Sequence, residues 1–269
     1  MPAHAAGATI AAAVASALAQ TWTRLEVVVA ADDELDYRVV LAASGIRDPR
    51  LVFTRTERPR SGPARARNQA AAASAGDYLA PLDADDRWHP EKLARLIPLA
   101  RRHGLAADNV RTLSAAGEEI GTALPRRTAP AMLDRSGLAA LDCPLFPLIR
   151  RDLFAPGYDE RLGVAEDVAA NIAFIARAGG AMPVLAEPLT DYVQSPASLC
   201  NRPGSWRQFE AAYRRIIADV AGEHSPSLAD AARLLAVLVE KRERNRRFGA
   251  AAEAEPGLSF QDFAARQRS

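Results

Sequence analysis

A chain of 269 residues, 49% hydrophobic and 25% charged, has enough apolar content to bury a sizeable core, as one large domain or two closely joined halves. Its formal net charge of +1 leaves no global basic field, which argues against nucleic acid as a partner. Cys143 and Cys200 stand far apart, with no His or Cys neighbour at metal-ligand spacing, so no disulfide framework is expected and a reducing compartment, the cytoplasm, is the simpler assignment.

The opening stretch, MPAHAAGATIAAAVASALAQTW, has the outline of an export signal, with small residues at Ala17-Leu18-Ala19. Yet the first basic side chain is Arg24 and the apolar part is mostly alanine, whereas a signal peptide needs an early positive charge and a strongly hydrophobic centre. Ile10, Val14 and Leu18 recur every four residues, which predicts one face of a helix. Leu25 to Asp33, LEVVVAADD, reads as a buried parallel strand whose end meets polar chemistry. A helix is predicted around Tyr37 to Ser44 and a strand at Leu51 to Thr54. Then come a glycine turn and an Ala-rich helix in GPARARNQAAAASAGDY, with Gly76 as its stop, and a strand over Tyr78 to Leu82. His89-Pro90-Glu91 opens another helix, which Pro98 should end or kink.

Between about 105 and 150 the pattern is irregular. Val164 to Arg177 resumes as a helix with Val168, Ile172 and Ile175 on one face, and amphipathic helices follow from Ser205, including Leu228 to Val239. Alternating strands and helices predict an α/β domain with a largely parallel sheet. In such sheets ligands lie beyond the C-terminal strand ends, where Asp32, Asp33, Asp83, Asp85 and Asp86 all fall.

LDADD, Leu82 to Asp86, is the strongest local signal. Three carboxylates within four residues repel one another unless a cation or hydrogen-bond donors offset the charge. Hard oxygen ligands suit Mg²⁺ or Mn²⁺, which could grip a diphosphate. The alternative is an Asp-rich turn followed by a helix cap.

Several segments, taken in order, resemble the family 2 glycosyltransferases with the GT-A fold. ASALAQTW followed by LEVVVAADD is similar to the family's first helix and second strand, and GPARARN to its glycine-to-ARN turn. GDYLAPLDADDRWHPEKL resembles the DXD strand and the helix after it, and RRDLFAPGYDERLGVAED the acceptor-side segment that ends in an acidic pair. The resemblance covers most of residues 2 to 200. It implies a Rossmann-like, mixed and mainly parallel sheet flanked by helices. Residues 1–104 would be the nucleotide-sugar half, 105–200 the acceptor-side half and 201–269 a C-terminal helical extension. It also implies a metal-dependent inverting enzyme of polysaccharide biosynthesis that uses a nucleotide-sugar donor and a glycan or lipid-linked acceptor.

Carried over position by position, the resemblance places Asp32 and Asp33 at the nucleobase and ribose, and Glu34-Leu35 in place of the usual Gly-Ser. Arg67 falls near the nucleotide, able to pair with phosphate or the Asp carboxylates. Asp83 becomes a ribose or metal-side carboxylate, Asp85 the direct ligand of Mn²⁺ or Mg²⁺, and Asp86 a cap for the next helix. Asp167, with Glu166 beside it, becomes the general base that takes the acceptor hydroxyl's proton. Read without the family, Asp32 and Asp33 are a polar strand end, Arg67 a surface arginine, and Glu166-Asp167 helix-dipole partners. His89 and His103 read as helix-start or surface residues.

The basic run Lys241 to Arg247 has two readings. It is either a solvated helix end with Glu240–Arg244 and Glu243–Arg247 pairs, or a patch for peripheral contact with an anionic membrane, on its inner face for a cytoplasmic enzyme. Nothing in the sequence signals an oligomer.

In the family an apolar strand normally runs into a Pro-x-Tyr-Asn turn before the first helix. Pro2-Ala3-His4-Ala5 falls at that turn, and the strand before it is not in this sequence. An internal start within a longer reading frame is the favoured expectation over a true loss, because an open gap in a central sheet leaves backbone groups unpaired. Two other functions stay open. A haloacid-dehalogenase-like phosphatase would use Asp83 and Asp85, but it needs a lysine near phosphate and only Lys92 and Lys241 are present. A degenerate, non-catalytic nucleotide-binding protein is the other.

Overall fold

The computed structural model describes residues 1–194, 202, 204–222 and 228–266; Cys200 lies outside them. The first half contains β1 (Pro2–Ala3), α1 (Ile10–Leu18), β2 (Val27–Ala31), α2 (Tyr37–Ala43), β3 (Leu51–Arg55), α3 (Pro63–Ala72), β4 (Tyr78–Leu79), β5 (Arg87–Trp88) and α4 (Lys92–His103). Next come β6 (Leu105–Leu113), β7 (Glu119–Thr122), β8 (Ala131–Asp134), α5 (Arg135–Ala139), β9 (Leu148–Arg150), α6 (Arg151–Phe154), α7 (Glu166–Arg177) and β10 (Ala181–Val193). Helices α8 (Ser205–Gly222), α9 (Leu228–Ala254) and α10 (Phe260–Arg266) complete it.

Strands β1, β2 and β3 form one sheet, parallel throughout. Every residue of β2 is buried, as a continuous β-branched run between two helical layers requires. The second sheet has the order β4-β9-β6-β10-β5, with β7 on β6 and β8 on β10. Here the parallel character expected of the whole sheet is confined to β6–β10, and the other pairings are antiparallel. The reason is connectivity. Helical crossovers join β1, β2 and β3, whereas β7, β8 and β9 return by turns and short helices.

Pro2 and Ala3 extend the expected turn into a two-residue strand, in register with Ala30 and Ala31. No described backbone pairing joins β1-β2-β3 to β4. The two sheets flank a cavity of about 310 Å³ lined by Val27, Val28, Tyr78, Leu79, Trp88 and Phe174 among others.

Helix α1 buries Ile10, Ala13, Val14 and Ala17, so that of the predicted Ile10, Val14 and Leu18 face the first two are buried and Leu18 is half-buried against the same core. Helix α4 continues through Pro98 and ends at Gly104, whose φ of 84° supplies the left-handed stop. Its core side is Leu93, Leu96, Ile97 and Ala100. One set of buried side chains, including Ile10, Val29, Leu41 and Leu96, packs the first half, and another, including Leu105, Phe174, Met182, Leu234 and Leu238, packs the second together with α8 and α9. Among the described residues, no helix is long and apolar enough to cross a membrane.

Candidate functional site

The two acids after β2 have separate tasks. Asp32 is buried, and its carboxylate accepts from Thr56 Oγ1 at 2.7 Å, Ser61 N at 2.8 Å and Gly62 N at 2.9 Å. It thereby fastens the loop that leads into α3. Gly62, at φ 97°, turns its N–H toward that carboxylate, and Pro63 begins the helix where no donor is lost. Asp33 is half-buried and accepts from Ala5 N at 2.5 Å, Tyr37 Oη at 2.8 Å and Leu35 N at 3.1 Å. His4 Nδ1 donates to the Asp32 carbonyl at 3.0 Å, so β1 and the two acids form one hydrogen-bonded edge.

Helix α3 carries the GPARARN residues against the segment from Tyr158 to Glu166. Arg67 donates through Nη2 to both oxygens of Asp83, at 2.7 and 2.9 Å, and through Nη1 to Glu166 Oε1 at 2.5 Å. Its guanidinium lies 5.4 Å from the centre of the Tyr158 ring. Burial works against this charge, but the Asp83 and Glu166 carboxylates outweigh it and hold the Arg67 pKa well above its ordinary value. One residue on, Asn68 donates to the Tyr158 carbonyl at 2.9 Å and accepts from Tyr158 N at 2.9 Å. A side chain at Gly157 would bring a Cβ within 2.5 Å of Asn68 Oδ1, and its φ is 93°, so this approach requires glycine.

The three acids of LDADD point in three directions. Asp83 is half-buried on Arg67, Asp85 is exposed, and Asp86 is 1% exposed. Dense protein at its base and the neighbouring Asp83 charge push the Asp85 carboxyl pKa up. Burial, then Asp83 and Asp85, raise that of Asp86 much further. Asp86 does not cap α4, whose N-cap is Glu91 with no side-chain cap bond. Its Oδ1 accepts from Val193 N at 2.9 Å instead. No cluster of three His, Cys, Asp or Glu side chains able to hold a metal exists among the described residues. The open Asp85 is nonetheless suited to a Mg²⁺ or Mn²⁺ ion that takes its remaining ligands from phosphates and water, the usual arrangement for Mg²⁺.

Glu166 and Asp167 form the first turn of α7, entered through Ala165 at φ 55°. Burial raises the pKa of both carboxyls against the pull of Arg67. Arg67 therefore joins the turn bearing Asp83 and Asp85 to the helix bearing Asp167, which brings Asp83, Arg67, Glu166 and Asp167 into one charge network. Asp32 and Asp33 belong to the adjoining β2 edge.

Asn68, Tyr158, Lys92 and Val193 take part in this architecture without a chemical signature of their own in the sequence, although Asn68 stands in GPARARN and Tyr158 in RRDLFAPGYDERLGVAED. Val193 acts through its backbone, which no side-chain pattern reveals. His89 is not a bare surface residue, since its Nε2 lies 3.2 Å from Asp191 Oδ1 and 3.0 Å from Arg111.

The basic run of α9 is divided: Lys241, Arg242 and Arg244 are half-buried, whereas Arg246 and Arg247 are exposed. Lys241 donates to the Ala139 carbonyl at 3.0 Å and to the Leu141 carbonyl, and Arg244 pairs with Asp142. Arg242 and Arg246 converge on Glu210 of α8. Arg244 thus meets Asp142 in place of the expected Glu240, and Glu243 lies 3.7 Å from Arg246 in place of Arg247. Lys92 is buried elsewhere, on Asp108. Neither lysine meets the phosphatase requirement.

The sequence model of glycosyl transferase family 2 matches residues 1–155. The chain belongs to that family. It is 32% identical over 200 residues to the succinoglycan biosynthesis protein ExoO of Rhizobium meliloti, covering 69% of this chain and 56% of that protein. It is also 32% identical over 106 residues to Escherichia coli WfgD, described as a UDP-Glc:alpha-D-GlcNAc-diphosphoundecaprenol beta-1,3-glucosyltransferase, covering 39% and 41% respectively. The chain thus spans about half the length of these curated relatives. Among solved structures, S. aureus TarS 1-349 in complex with UDP-GlcNAc superposes with a TM-score of 0.73 at 17% identity, over 88% of this chain and 70% of that one. The fold is therefore GT-A, with α8 to α10 as the helical part that closes the second half.

Proposed function

We propose that this family 2 protein is an inverting glycosyltransferase that moves a sugar from a nucleoside diphosphate donor to a hydroxyl of a glycan or lipid-linked acceptor. The supporting observation is the Arg67 bridge, which couples the Asp83–Asp85 turn to the Glu166–Asp167 helix start. In this reading residues 1–104 bind the donor, 105–200 shape the acceptor side, and 201–269 buttress it. The UDP-GlcNAc in the TarS complex and the UDP-Glc in the WfgD description support a uridine nucleotide as the first donor class to test. The succinoglycan biosynthesis relative supports an enzyme acting on a growing glycan. Peripheral membrane contact through the α9 basic run would fall to the exposed Arg246 and Arg247, since Lys241, Arg242 and Arg244 are met by protein acceptors.

In the proposed reaction Asp167 accepts the acceptor hydroxyl proton as that oxygen attacks the anomeric carbon. The C1–O bond to the diphosphate breaks on the opposite face, which inverts the centre. Asp85 would hold a Mn²⁺ or Mg²⁺ ion that, when bound, offsets the charge growing on the departing diphosphate. Arg67 keeps Asp83 and Glu166 in place while leaving Asp167 to the acceptor. Asp33, with Ala5 and His4, forms the polar edge offered to the base and ribose.

A thermal-shift titration with UDP tests the donor side. Mn²⁺ should increase the UDP-induced stabilisation, and Asp85→Ala should weaken Mn²⁺-dependent UDP binding by about tenfold or more, in line with the 1.5–3 kcal/mol of a hydrogen bond or contact to a charged group. An unchanged response in Asp85→Ala would remove that residue from the cation site. Absence of any UDP response, with or without Mn²⁺, would count against a uridine donor.

A further inference from the structure

The DADD turn is followed by a segment tied to β10 at Arg87, Trp88, His89 and Lys92. Arg87 and Trp88 pair with Asp191 and Thr190, and His89 N donates to the Leu189 carbonyl at 2.9 Å. Lys92 Nζ donates to Thr190 Oγ1 at 2.6 Å. At the start of the segment, Asp86 Oδ1 accepts from Val193 N at 2.9 Å. Asp86 is 1% exposed, and its Oδ2 is sealed from solvent without a hydrogen-bond partner. Its neighbour Asp85 is exposed. Adjacent side chains in this turn thus face opposite ways, and the three acids do not converge on one point.

We infer that Asp86 is a positioning residue and not a cation ligand: it staples the turn bearing Asp85 to the end of β10, so that Asp85 alone faces outward. The inference rests on the proposed role of Asp85. Two observations carry it. The Val193 N–H lies at the half-buried end of β10, where the enclosed Asp86 carboxylate is its acceptor and removing that acceptor leaves both the donor and the turn untied. The contact to that donor also uses the Asp86 oxygen that a staple needs, while the remaining oxygen is enclosed by protein. Only one acceptor oxygen is required, so an amide can replace the acid. A carboxylate that ligates the cation would lose much of its affinity on the same replacement, because an amide oxygen lacks the negative charge.

The test compares Asp86→Asn with Asp86→Ala in the full chain, beside Asp85→Asn. Thermal denaturation without ligand should leave Asp86→Asn within about 2 °C of the parent and lower Asp86→Ala by roughly 5 °C. In UDP titrations, the Mn²⁺-dependent gain in affinity should persist in Asp86→Asn, fall about fivefold or more in Asp86→Ala, and vanish in Asp85→Asn. If Asp86→Asn loses the Mn²⁺ response as completely as Asp85→Asn, Asp86 is a ligand and the inference fails. It fails equally if Asp86→Ala and Asp86→Asn melt together. A parent protein that shows no Mn²⁺ response would overturn the cation role of Asp85, while the two melting temperatures would still decide the staple.

Discussion

Asp167→Asn should lower sugar transfer by about 10²–10⁴-fold, the usual worth of a positioned general base, while leaving UDP binding within about twofold of the parent. The amide preserves the shape of α7's first turn and removes only the ability to take a proton. UDP release from UDP-glucose or UDP-N-acetylglucosamine, followed beside UDP titrations, separates the two effects. The pH profile gives a second check. Burial raises the Asp167 pKa from its ordinary value, and Arg67 partly opposes that rise. The ionised form is the active one, so the rate should fall as pH drops through a pKa above the ordinary Asp value of about 3.9. Removing the opposing cation in Arg67→Met should move that acid limb to still higher pH. Full activity in Asp167→Asn would place the base elsewhere.

The largest stability effect is expected at Lys92, far in role from the proton transfer. Its ammonium is fully buried, 2.6 Å from Asp108 Oδ1 and 2.6 Å from Thr190 Oγ1, with the Trp88 ring centre at 5.2 Å. Asp108 Oδ2 accepts in turn from Leu189 N and Thr190 Oγ1. Lys92→Met would leave the Asp108 charge buried without its cation, a loss of roughly 3–5 kcal/mol. For a domain of this size that corresponds to a fall of roughly 10 °C in Tm. The double variant Lys92→Met/Asp108→Asn should recover at least about half of the loss, because the uncompensated charge goes while the Leu189 N–H keeps an acceptor. Calorimetry of the parent and both variants measures this. A single variant that melts with the parent would show that the pair contributes little beyond the packing of its carbon chains.

The order of elements up to α4 was readable because its signals are local, whereas β6 to β10, in the irregular stretch and after α7, were not. Val27 to Val29 can only be a buried strand, Gly62-Pro63 prescribes a turn and a helix start, and the spacing of Ile10 and Val14 sets a helix face. The motif positions were readable too, as far as ARN and LDADD stand at the ends of predicted elements. The directions of the side chains were not. Asp83, Asp85 and Asp86 carry the same group within four residues, yet one meets Arg67, one meets solvent and one meets a backbone N–H of β10, 107 residues later. Asp32 and Asp33 likewise read as equals, though the loop at Ser61-Gly62 claims the first and the β1 turn the second. The basic run of α9 read as solvent-facing because its partners, Asp142 and Glu210, lie on other elements.

By itself the sequence determined the strand–helix alternation of about the first hundred residues, the family, and the place along the chain of the acids that could do chemistry, since backbone propensity and hydrophobic period act over a few neighbouring residues. Only the tertiary structure decided which acids are occupied and which are open. A charged group takes the partner that lies within about 3 Å in space, and for Arg67, Asp86, Lys92 and Lys241 that partner stands 16 to 107 residues away along the chain.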